Sequence, residues 1–535
     1  MPLLRIPKQN VAPHQFRRFL SACSHSSLHQ LLGAQDPCSS FISHDADTPF
    51  LKDRNVDGRG DHATTPLRHE GMIVAIKDNI CTSDYHTTCA SRTLSGFRSP
   101  YEATVVTLLK QNGARIVGKT NMDEFGMGSH SMNSHFGPVI QRCLRPDSQE
   151  ILYTAGGSSG GSAVAVQQGM CDAAIGTDTG GSVRLPAAWC GVVGFKPSYG
   201  MISRWGVVAY ANSLDTVGIF ARSISRVKKI FTTLRVFDIQ DPTSLLPTSI
   251  ARISRSQHST EDNTSQLEEN RRKKWTVGVP IEYNIEELSP LVRQVWHNAL
   301  EACQREGHTV IPISLPMTRS ALSAYYVLAP AEAASNLAKY DGVRYGAREE
   351  GTDGASGILF SKTRSNCLGT EVRRRILLGN YSLSADAIGN YFIQAQKVRR
   401  LVQKEFNNVF AAPHPLLDST SLEEDTCSDQ EKSIMLPSSQ RVDIILCPTA
   451  PTPPPPVQEL VRQNPVDQYT NDVFTVPASL AGLPALSIPW DLKENTCKLL
   501  DPSRNTGLQV IGQFGYDWQV LDFAQRLEEM RKRYF

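Results

Sequence analysis

The chain has 535 residues, of which 40% are hydrophobic, enough apolar material for a large folded core. Lys and Arg number 55 and Asp and Glu 53, and the net charge of +2 argues against a protein that binds nucleic acid through its own surface. No apolar run of about 18 residues is present, which argues against a membrane-spanning helix. The 12 cysteines are dispersed without C-x-x-C or other ligand spacing. This pattern predicts free buried thiols in a reducing compartment and no zinc site.

The N-terminal 35 residues differ in composition from the remainder of the chain. They contain four basic residues and several Ser and His, and the first acidic residue is Asp36. A segment that is rich in Arg and Ser and poor in acids is typical of an organelle transit peptide, and the alternative is an ordinary N-terminal helix. We therefore expect residues 1–40 to contribute little to the fold. The predicted location is the mitochondrial matrix, and the alternative is the cytoplasm.

In the next part of the chain, short apolar strands alternate with helical stretches, and Gly-rich turns separate them. Runs such as IVAIKDNI are rich in β-branched residues, which favour strands. The predicted strands lie at 73–80, 114–120, 171–178 and 192–198. This alternation predicts an α/β fold with a mostly buried sheet.

Two polar stretches interrupt the pattern in the second half of the chain. Residues 241–274 end in the charged run 271–274 and are predicted to form a solvated surface loop. Residues 413–440 contain an acidic, Ser-rich segment at 418–433, whose composition is typical of a disordered insertion. The other predicted elements are a strand at 275–284, a helix at 291–307, a helical region at about 319–410 and a strand that begins at 442.

Residues 113–120, GARIVGKT, match the phosphate-binding pattern G-x-x-x-x-G-K-[ST] letter for letter. A P-loop wraps phosphates with the backbone N–H groups of a tight turn that connects a strand to a helix. Here Ile116 and Val117 favour a strand, and the preceding VVTLLKQN has helical spacing that ends at Asn112-Gly113. We therefore predict the order helix, turn, strand, and interpret the match as accidental.

Two segments rich in Gly and Ser indicate where the chemistry lies, AGGSSGGSAVAV at 155–166 and GTDTGGSVRLPAA at 176–188. Two glycines before a serine let the backbone curl so that successive N–H groups point into one concavity, which can stabilise an oxyanion. The candidate oxyanion hole is the backbone of Thr179, Gly180 and Gly181. Ser182, which follows these residues, is the candidate nucleophile.

A serine nucleophile needs a base that removes its proton. The chain has 13 histidines, but none lies in a motif with the two segments, so the sequence does not support a Ser-His-Asp arrangement. Lys77 ends the apolar run MIVAI, and burial of Lys77 would lower its pKa toward the value that a general base requires. A serine of the first segment can relay the proton between Lys77 and Ser182. The alternative is a structural ion pair of Lys77 with Asp78 or another acid.

Lys77 at the end of a strand, GGSSGGS at 156–162 and GTDTGGSVRLPA at 176–187 together resemble the amidase signature family. The match is specific because three separated elements recur in order with near-family spacing. The resemblance implies an α/β fold with a large mixed β-sheet covered by helices on both faces. It also implies a Ser–cis-Ser–Lys triad. In this triad Ser182 is the acyl-forming nucleophile, Ser158 is the relay serine after a cis peptide bond, and Lys77 is the base.

Several stretches outside the triad resemble one branch of this family, the A subunits of glutamyl-tRNA(Gln) amidotransferases. Examples are KTNMDEFGMGS at 119–129 and YTNDVFTVPASLAGLPALSIP at 469–489, and the resemblance covers one amidase domain at 65–535 apart from the polar insertions. It implies an enzyme that hydrolyses free glutamine and passes ammonia to a tRNA-binding B subunit, in a complex with a small third subunit. The B subunit would use ATP and Mg²⁺, so we expect this chain to need no cofactor or metal and to contact tRNA only indirectly.

The resemblance also implies which residues hold glutamine, which is a zwitterion beyond its scissile amide. Arg375 aligns with the family's carboxylate-binding arginine, and its planar guanidinium suits a bidentate contact. Asp472 aligns with the residue that receives the ammonium, and Tyr325 aligns with a tyrosine that lines the pocket. The alternatives are an exposed charge in the run 373–375 for Arg375, and a helix cap or loop acid for Asp472. Residues 128–134, GSHSMNS, depart from the family's usual GSSTENS.

Three other functions are alternatives. A stand-alone amidase that acts on fatty-acyl or aryl amides would need an apolar pocket, against which Arg375 and Asp472 argue. A non-catalytic assembly subunit would not need the intact triad. An ATP-binding protein that uses residues 113–120 is the weakest alternative, because that segment is predicted to form a strand.

Overall fold

The structure, a computed structural model, contains a large sheet and helices packed against it. The described residues are 36, 38–44, 69, 71–144, 150–257, 273–350, 359–417, 441–464, 467–490 and 501–534. The strands are β1 (Phe41–His44), β2 (Ile73–Lys77), β3 (Arg115–Thr120), β4 (Ile140–Leu144), β5 (Glu150–Thr154), β6 (Ala173–Asp178), β7 (Val193–Lys196), β8 (Thr216–Ala221), β9 (Thr276–Pro280), β10 (Thr309–Ile313), β11 (Ile444–Pro448), β12 (Ala485–Pro489) and β13 (Gly507–Ile511). The helices are α1 (Thr104–Gln111), α2 (Gly160–Gln167), α3 (Arg184–Trp189), α4 (Ile224–Leu234), α5 (Pro247–Gln257), α6 (Pro290–Arg305), α7 (Thr318–Leu337), α8 (Ser361–Cys367), α9 (Thr370–Ser382), α10 (Phe392–Val409), α11 (Val457–Leu460), α12 (Val476–Leu480) and α13 (Asp517–Tyr534).

Eleven strands form one mixed sheet in the order β1-β3-β2-β6-β8-β7-β12-β13-β11-β9-β10, and β4 and β5 form a separate hairpin. β2 is parallel to β3 and β6, and β9 is parallel to β10 and β11. The pairings from β6 through β8, β7, β12 and β13 to β11 are antiparallel. Strands β6, β8, β12 and β13 are buried at every residue, so both faces of the sheet are covered there.

Alternate residues of β2 show how the two faces are covered. Ile73 and Ala75 belong to one apolar cluster, and Val74 and Ile76 belong to another. Because successive side chains of a strand point to opposite faces, the two clusters lie on opposite sides of the sheet. Helix α2 contributes Ala163–Val166 to the first cluster. The predicted α/β fold, with a large mixed sheet between helices on both faces, is confirmed.

Most of the elements that the sequence predicts are present in the described chain. Strands β2, β3, β6, β7 and β9 lie within their predicted ranges. Helix α6 begins one residue before its predicted start, and α7 to α10 occupy the predicted helical region at about 319–410. The predicted surface loop at 241–274 is partly wrong, because α5 occupies Pro247–Gln257. That helix buries Ile253, and most of its other residues are polar, so composition concealed it. Residues 1–35, 258–272 and 418–440 lie outside the described residues, and the expectations for them stay predictions.

The segment 113–120 is a turn and a paired strand and not a phosphate-binding loop. Lys119 is completely buried, and its Nζ donates hydrogen bonds to Ile80 O at 2.7 Å and to Thr87 Oγ1 at 2.9 Å. The same nitrogen lies 3.5 Å from the carboxylate of Asp78. The ammonium of Lys119 is therefore used inside the protein, and the predicted order of helix, turn and strand is confirmed.

The nine cysteines in the described ranges are buried and free, which confirms that part of the cysteine prediction. None of the helices in those ranges has both the length and the apolar composition that crossing a bilayer requires. In the same ranges, no three His, Cys, Asp or Glu side chains are grouped so that they could hold a metal ion.

Candidate active site

Lys77 is the last residue of β2 and is completely buried. Its Nζ donates hydrogen bonds to Ser158 Oγ at 2.8 Å and to Thr177 Oγ1 at 2.9 Å. Ser158 lies in the loop between β5 and α2, and Thr177 lies on β6, the strand next to β2. Strands β2 and β6 therefore position the lysine, and the loop that carries Ser158 contacts its amino group.

The charge of Lys77 is set by burial. Burial lowers the pKa of Lys77 to about 7, and nearby carboxylates, of which Asp123 has the largest effect, oppose this shift. Lys77 forms no ion pair with any described residue, and Asp78 pairs with Lys119 instead. The alternative of a structural ion pair between Lys77 and Asp78 is therefore wrong. An amine with a pKa near neutrality can accept a proton at physiological pH.

The loop that carries Ser158 is fixed by hydrogen bonds to the segment that follows β3. The peptide bond Gly157–Ser158 is cis. The N–H of Asp123 donates to Ser158 O at 3.1 Å, and Ser131 Oγ donates to Gly156 O at 2.8 Å. Because the backbone is held on both sides of Ser158, its hydroxyl has a defined position beside the lysine.

Ser182 lies between β6 and α3, directly after the Gly-Gly pair. The N–H of Ser159 donates to Ser182 O at 3.2 Å, so the two Gly-Ser segments are adjacent. The Ser182 side chain is partly exposed, and within the described chain its Oγ has no hydrogen-bond partner. The structure thus joins Lys77 and Ser158 by a hydrogen bond and brings the Ser182 loop against them. It contains no hydrogen bond between the two serine hydroxyls.

Two hydrogen bonds fix the backbone of the predicted oxyanion hole without using its N–H groups. Thr179 Oγ1 donates to Asp215 Oδ1 at 2.6 Å, and Thr475 Oγ1 donates to Gly180 O at 2.6 Å. The N–H groups of Gly180 and Gly181, in contrast, have no acceptor among the described residues. Backbone N–H groups that are fixed and lack an internal acceptor can bind an anion.

A buried ion pair links the two ends of the loop that carries Ser182, and the sequence patterns did not predict it. Arg184 and Asp178 are both inaccessible to solvent, with Nη2 2.8 Å from Oδ1 and Nε 2.9 Å from Oδ2. Burial alone would raise the pKa of Asp178, but the charge and hydrogen bonds of Arg184 hold that pKa below its usual value. The only signal in the sequence is one acid and one base within the otherwise uncharged GTDTGGSVRLPA.

Arg375 lies on α9, and its side chain is only 3% exposed. Its Nε donates to Glu371 Oε1 and its Nη1 donates to Tyr210 OH, both at 2.8 Å. The guanidinium also lies 5.4 to 5.9 Å from the ring centres of Tyr210, Tyr326 and Tyr469. The alternative of an exposed surface charge is therefore wrong, because Arg375 is a buried cation in a cage of aromatic rings.

Asp472 is also buried, and its Oδ2 accepts hydrogen bonds from Ser129 Oγ at 2.6 Å and from Tyr326 OH at 2.9 Å. Its carboxylate accepts no backbone N–H in the described part of the chain, so the alternative of a side-chain helix cap is wrong. Burial raises the pKa of Asp472 to about 6, and the two hydroxyl donors oppose the shift. The carboxylate is therefore mostly charged at neutral pH.

Tyr325 lies beside the aromatic rings that surround Arg375 and beside the predicted oxyanion hole at 179–181. Its ring packs edge-on against Tyr326, with ring centres 5.0 Å apart. A Cβ added to Gly180 would lie only 2.6 Å from Tyr325 Cζ, so the ring is in contact with that backbone. The structure thus places the three predicted substrate-binding residues on one network that reaches the Ser182 loop.

Residues 25–521 match a family model described as Amidase. The chain belongs to the amidase family. The chain is 53% identical over 478 residues to the A subunit of the mitochondrial glutamyl-tRNA(Gln) amidotransferase of Coccidioides posadasii, and the match covers 89% of this chain and 92% of that protein. It is 52% identical over 490 residues to the protein of the same name from Ajellomyces capsulatus, with the same coverage. The crystal structure of the glutamyl-tRNA(Gln) amidotransferase A subunit from Thermotoga maritima is 34% identical, with a TM-score of 0.66 and coverage of 94% of this chain and 90% of that one.

This amidase has polar residues at the site that the sequence patterns did not identify. A cavity of about 190 Å³ is lined by residues of 128–133, by the first turns of α9 and by Gln468 and Tyr469. The hydroxyl of Tyr469 donates to Glu371 Oε1 at 2.8 Å, so Glu371 joins the cavity to the arginine cage. The spacing of four residues between Glu371 and Arg375 on a helix is the signal that would have predicted their ion pair.

The segment 128–134, which departs from the usual family sequence, takes part in the site of this amidase through its serines. Ser129 contacts the carboxylate of Asp472, and Ser131 holds the loop that carries Ser158. The unusual His130 is buried, and burial lowers its pKa to about 4, so its imidazole is neutral at physiological pH. The departure from the family pattern therefore adds no charge at this position.

Proposed function

We propose that this chain is the glutamine-hydrolysing A subunit of a mitochondrial glutamyl-tRNA(Gln) amidotransferase. Ser182 attacks the side-chain amide carbonyl of glutamine, while Lys77 removes the hydroxyl proton through Ser158. The proton then passes to the leaving nitrogen, and ammonia departs. Water attacks the resulting ester by the same route and releases glutamate, which restores Ser182. The observation that carries the proposal is the hydrogen bond from the buried amine of Lys77 to Ser158 Oγ at 2.8 Å.

The proposed oxyanion hole is the backbone of Thr179, Gly180 and Gly181. Its N–H groups stabilise the negative oxygen of the tetrahedral intermediate, which is a large contribution to catalysis in acyl transfer. The anchoring of Thr179 by Asp215 and of Gly180 by Thr475 supports this role, because fixed donors do not need to reorganise during the reaction.

Free glutamine is the proposed substrate because its two charged groups match the two buried charges of the site. Arg375 binds the α-carboxylate, Asp472 binds the α-ammonium, and Tyr325 lines the pocket between these groups and Ser182. Burying a cation and an anion costs free energy that an apolar acyl pocket would avoid. This argument favours glutamine over the fatty-acyl or aryl amides of a stand-alone amidase.

The complex is proposed from the names of the relatives and from the chemistry of ammonia. A tRNA-binding B subunit uses ATP and Mg²⁺ to activate the glutamyl group on tRNA and receives the ammonia, and a small third subunit completes the assembly. This chain needs no cofactor of its own and meets tRNA only indirectly, which is in keeping with its net charge of +2. The mitochondrial relatives and the acid-poor N-terminus support a location in the mitochondrial matrix.

The test is ammonia release from glutamine by the purified chain, alone and with the tRNA-binding subunit, for the wild type, Ser182→Ala and Ser225→Ala. Ser225 is an exposed serine on α4 and serves as the matched control. We expect release that increases when the tRNA-binding subunit is present, disappears in Ser182→Ala and is unchanged in Ser225→Ala.

Two other results would replace the proposal. A chain that is inert on glutamine in both settings but hydrolyses simple amides is a stand-alone amidase, and Arg375 and Asp472 then lose their roles. A complex that retains amidotransferase activity with Ser182→Ala does not use this site, and the chain then serves only in assembly.

A further inference from the structure

Arg375 and Asp472 carry opposite charges in one buried network, yet they do not pair with each other. Among the described residues, Arg375 forms its ion pair with Glu371, and Asp472 forms none. Opposite charges in a protein interior attract strongly, because the effective dielectric constant there is far below that of water. If the two side chains met, each would neutralise the other, and neither would be available to a zwitterionic ligand.

One side chain contacts both of these charged groups. Tyr326 lies on α7, its hydroxyl donates to Asp472 Oδ2 at 2.9 Å, and its ring centre lies 5.4 Å from the guanidinium carbon of Arg375. The ring is fixed from two sides, by stacking on Tyr469 at 4.1 Å and by the edge of Tyr325 at 5.0 Å. A ring that is fixed in this way and contacts both groups sets the distance between the Asp472 carboxylate and the Arg375 guanidinium.

We propose that Tyr326 is the positioning residue that holds the Asp472 carboxylate apart from Arg375 and aims it at the ammonium of an α-amino acid amide. This inference rests on the proposed function, since it assigns the origin of substrate selectivity within that site. The hydroxyl of Tyr326 is already used by Asp472, so Tyr326 acts through the carboxylate and not by contact with the reacting amide. Ser129 supplies the second donor to the same oxygen and limits the loss when Tyr326 is changed.

Tyr326→Phe tests this role because it removes only the hydroxyl and keeps the ring that stacks on Tyr469. The assay compares glutamine with glutaramate, which retains the amide and the carboxylate but has no ammonium, in the complex with the tRNA-binding subunit. We expect the KM for glutamine to rise about 10-fold, as for a lost hydrogen bond to a charged group, and kcat to stay within about two-fold. The KM for glutaramate should change by less than about two-fold.

Tyr381→Phe is the matched control, because Tyr381 is 57% exposed on α9 and contacts Tyr391 rather than the site. Competitive inhibition by glutamate and by glutarate gives the same comparison without turnover, since glutarate lacks the ammonium. The inhibition constant of glutamate should rise in Tyr326→Phe, and that of glutarate should not.

The outcomes separate this inference from the function on which it rests. A wild-type complex that fails to hydrolyse glutamine contradicts the proposed function itself. A wild-type complex that hydrolyses glutamine, with a Tyr326→Phe variant that weakens glutamine and glutaramate equally or changes neither, overturns the role of Tyr326 alone.

Discussion

The amino group of Lys77 lies 2.8 Å from the hydroxyl of Ser158, and both side chains are sealed from solvent. Water cannot stabilise the charge of the lysine, and burial accordingly lowers its pKa to about 7. The neutral amine accepts a proton, so the fraction of competent enzyme should rise with pH through this value.

The first prediction concerns the pH dependence of glutamine hydrolysis. In the wild type, kcat/KM should rise with pH to a plateau above about pH 7, because Lys77 must lose its proton before it can act as a base. Lys77→Met retains an unbranched chain of similar length and removes the amine. We expect kcat/KM to fall by about 10²–10⁴-fold and the limb near pH 7 to disappear, while protonation of Asp472 still lowers kcat/KM below about pH 6.

Lys110→Met is the control for this experiment, because Lys110 is a partly exposed lysine that pairs with Asp84 and Glu102 at the surface. It should retain the wild-type profile. A limb near pH 7 that survives unchanged in Lys77→Met would show that another group is the base.

The strands and Gly-Ser turns of the candidate active site could be predicted from the sequence because local patterns encode them. A strand that ends in Lys77 is visible from a run of five apolar residues, and the Gly-Ser turns are visible from glycines that the tight backbone requires. Both signals lie within about a dozen residues, and the corresponding strands β2 and β6 occur where predicted.

The contacts of Asp472 could not be predicted in this way, because segments that are far apart in the sequence form them. Ser129 and Asp472 are 343 positions apart, and Tyr326 and Asp472 are 146 positions apart. No periodicity connects residues at such separations, so only the folded sheet brings them together. Helix α5 was missed for a different reason, since a single buried residue, Ile253, gives almost no periodic signal.

The second prediction compares two serines of the same Gly-Ser segment. Ser158→Ala removes the hydroxyl that contacts Lys77, and we expect kcat for glutamine to fall by about 10²–10⁴-fold with little change in KM. Ser162→Ala removes a buried hydroxyl that bonds Thr120 at 2.7 Å instead, and it should lower the free energy of unfolding by about 1 kcal/mol while activity is retained. Steady-state kinetics and urea denaturation measure both effects. Equal activities of the two variants would contradict a relay role for Ser158.

The third prediction concerns the planar guanidinium of Arg375. Arg375→Lys keeps a cation but loses the forked guanidinium that donates to both Glu371 and Tyr210. We therefore expect the KM for glutamine to rise at least about 10-fold. Hydrolysis of 4-aminobutanamide, which lacks the carboxylate, should be much less affected.

Arg373→Lys is the neighbouring control, because Arg373 is exposed on the same helix and does not line the cavity, so it should tolerate the same change. Thermal unfolding of both variants shows whether the fold is intact. If Arg375→Lys weakens glutamine and 4-aminobutanamide to the same extent, Arg375 supports the fold and does not bind the carboxylate.

The fourth prediction concerns the ion pair that closes the Ser182 loop. Asp178→Asn leaves the guanidinium of Arg184 buried without its anion, and breaking a buried pair in this way costs about 3–5 kcal/mol of stability. Hydrogen exchange should therefore accelerate in β6 and α3, and hydrolysis should fall because the N–H groups of Gly180 and Gly181 lose their fixed position. Asp522→Asn disrupts the more exposed pair with Lys228, which should be worth at most about 1 kcal/mol. A stability loss that is equally small in both variants would mean that the loop is held by its other hydrogen bonds, such as Thr475 to Gly180, and not by the ion pair.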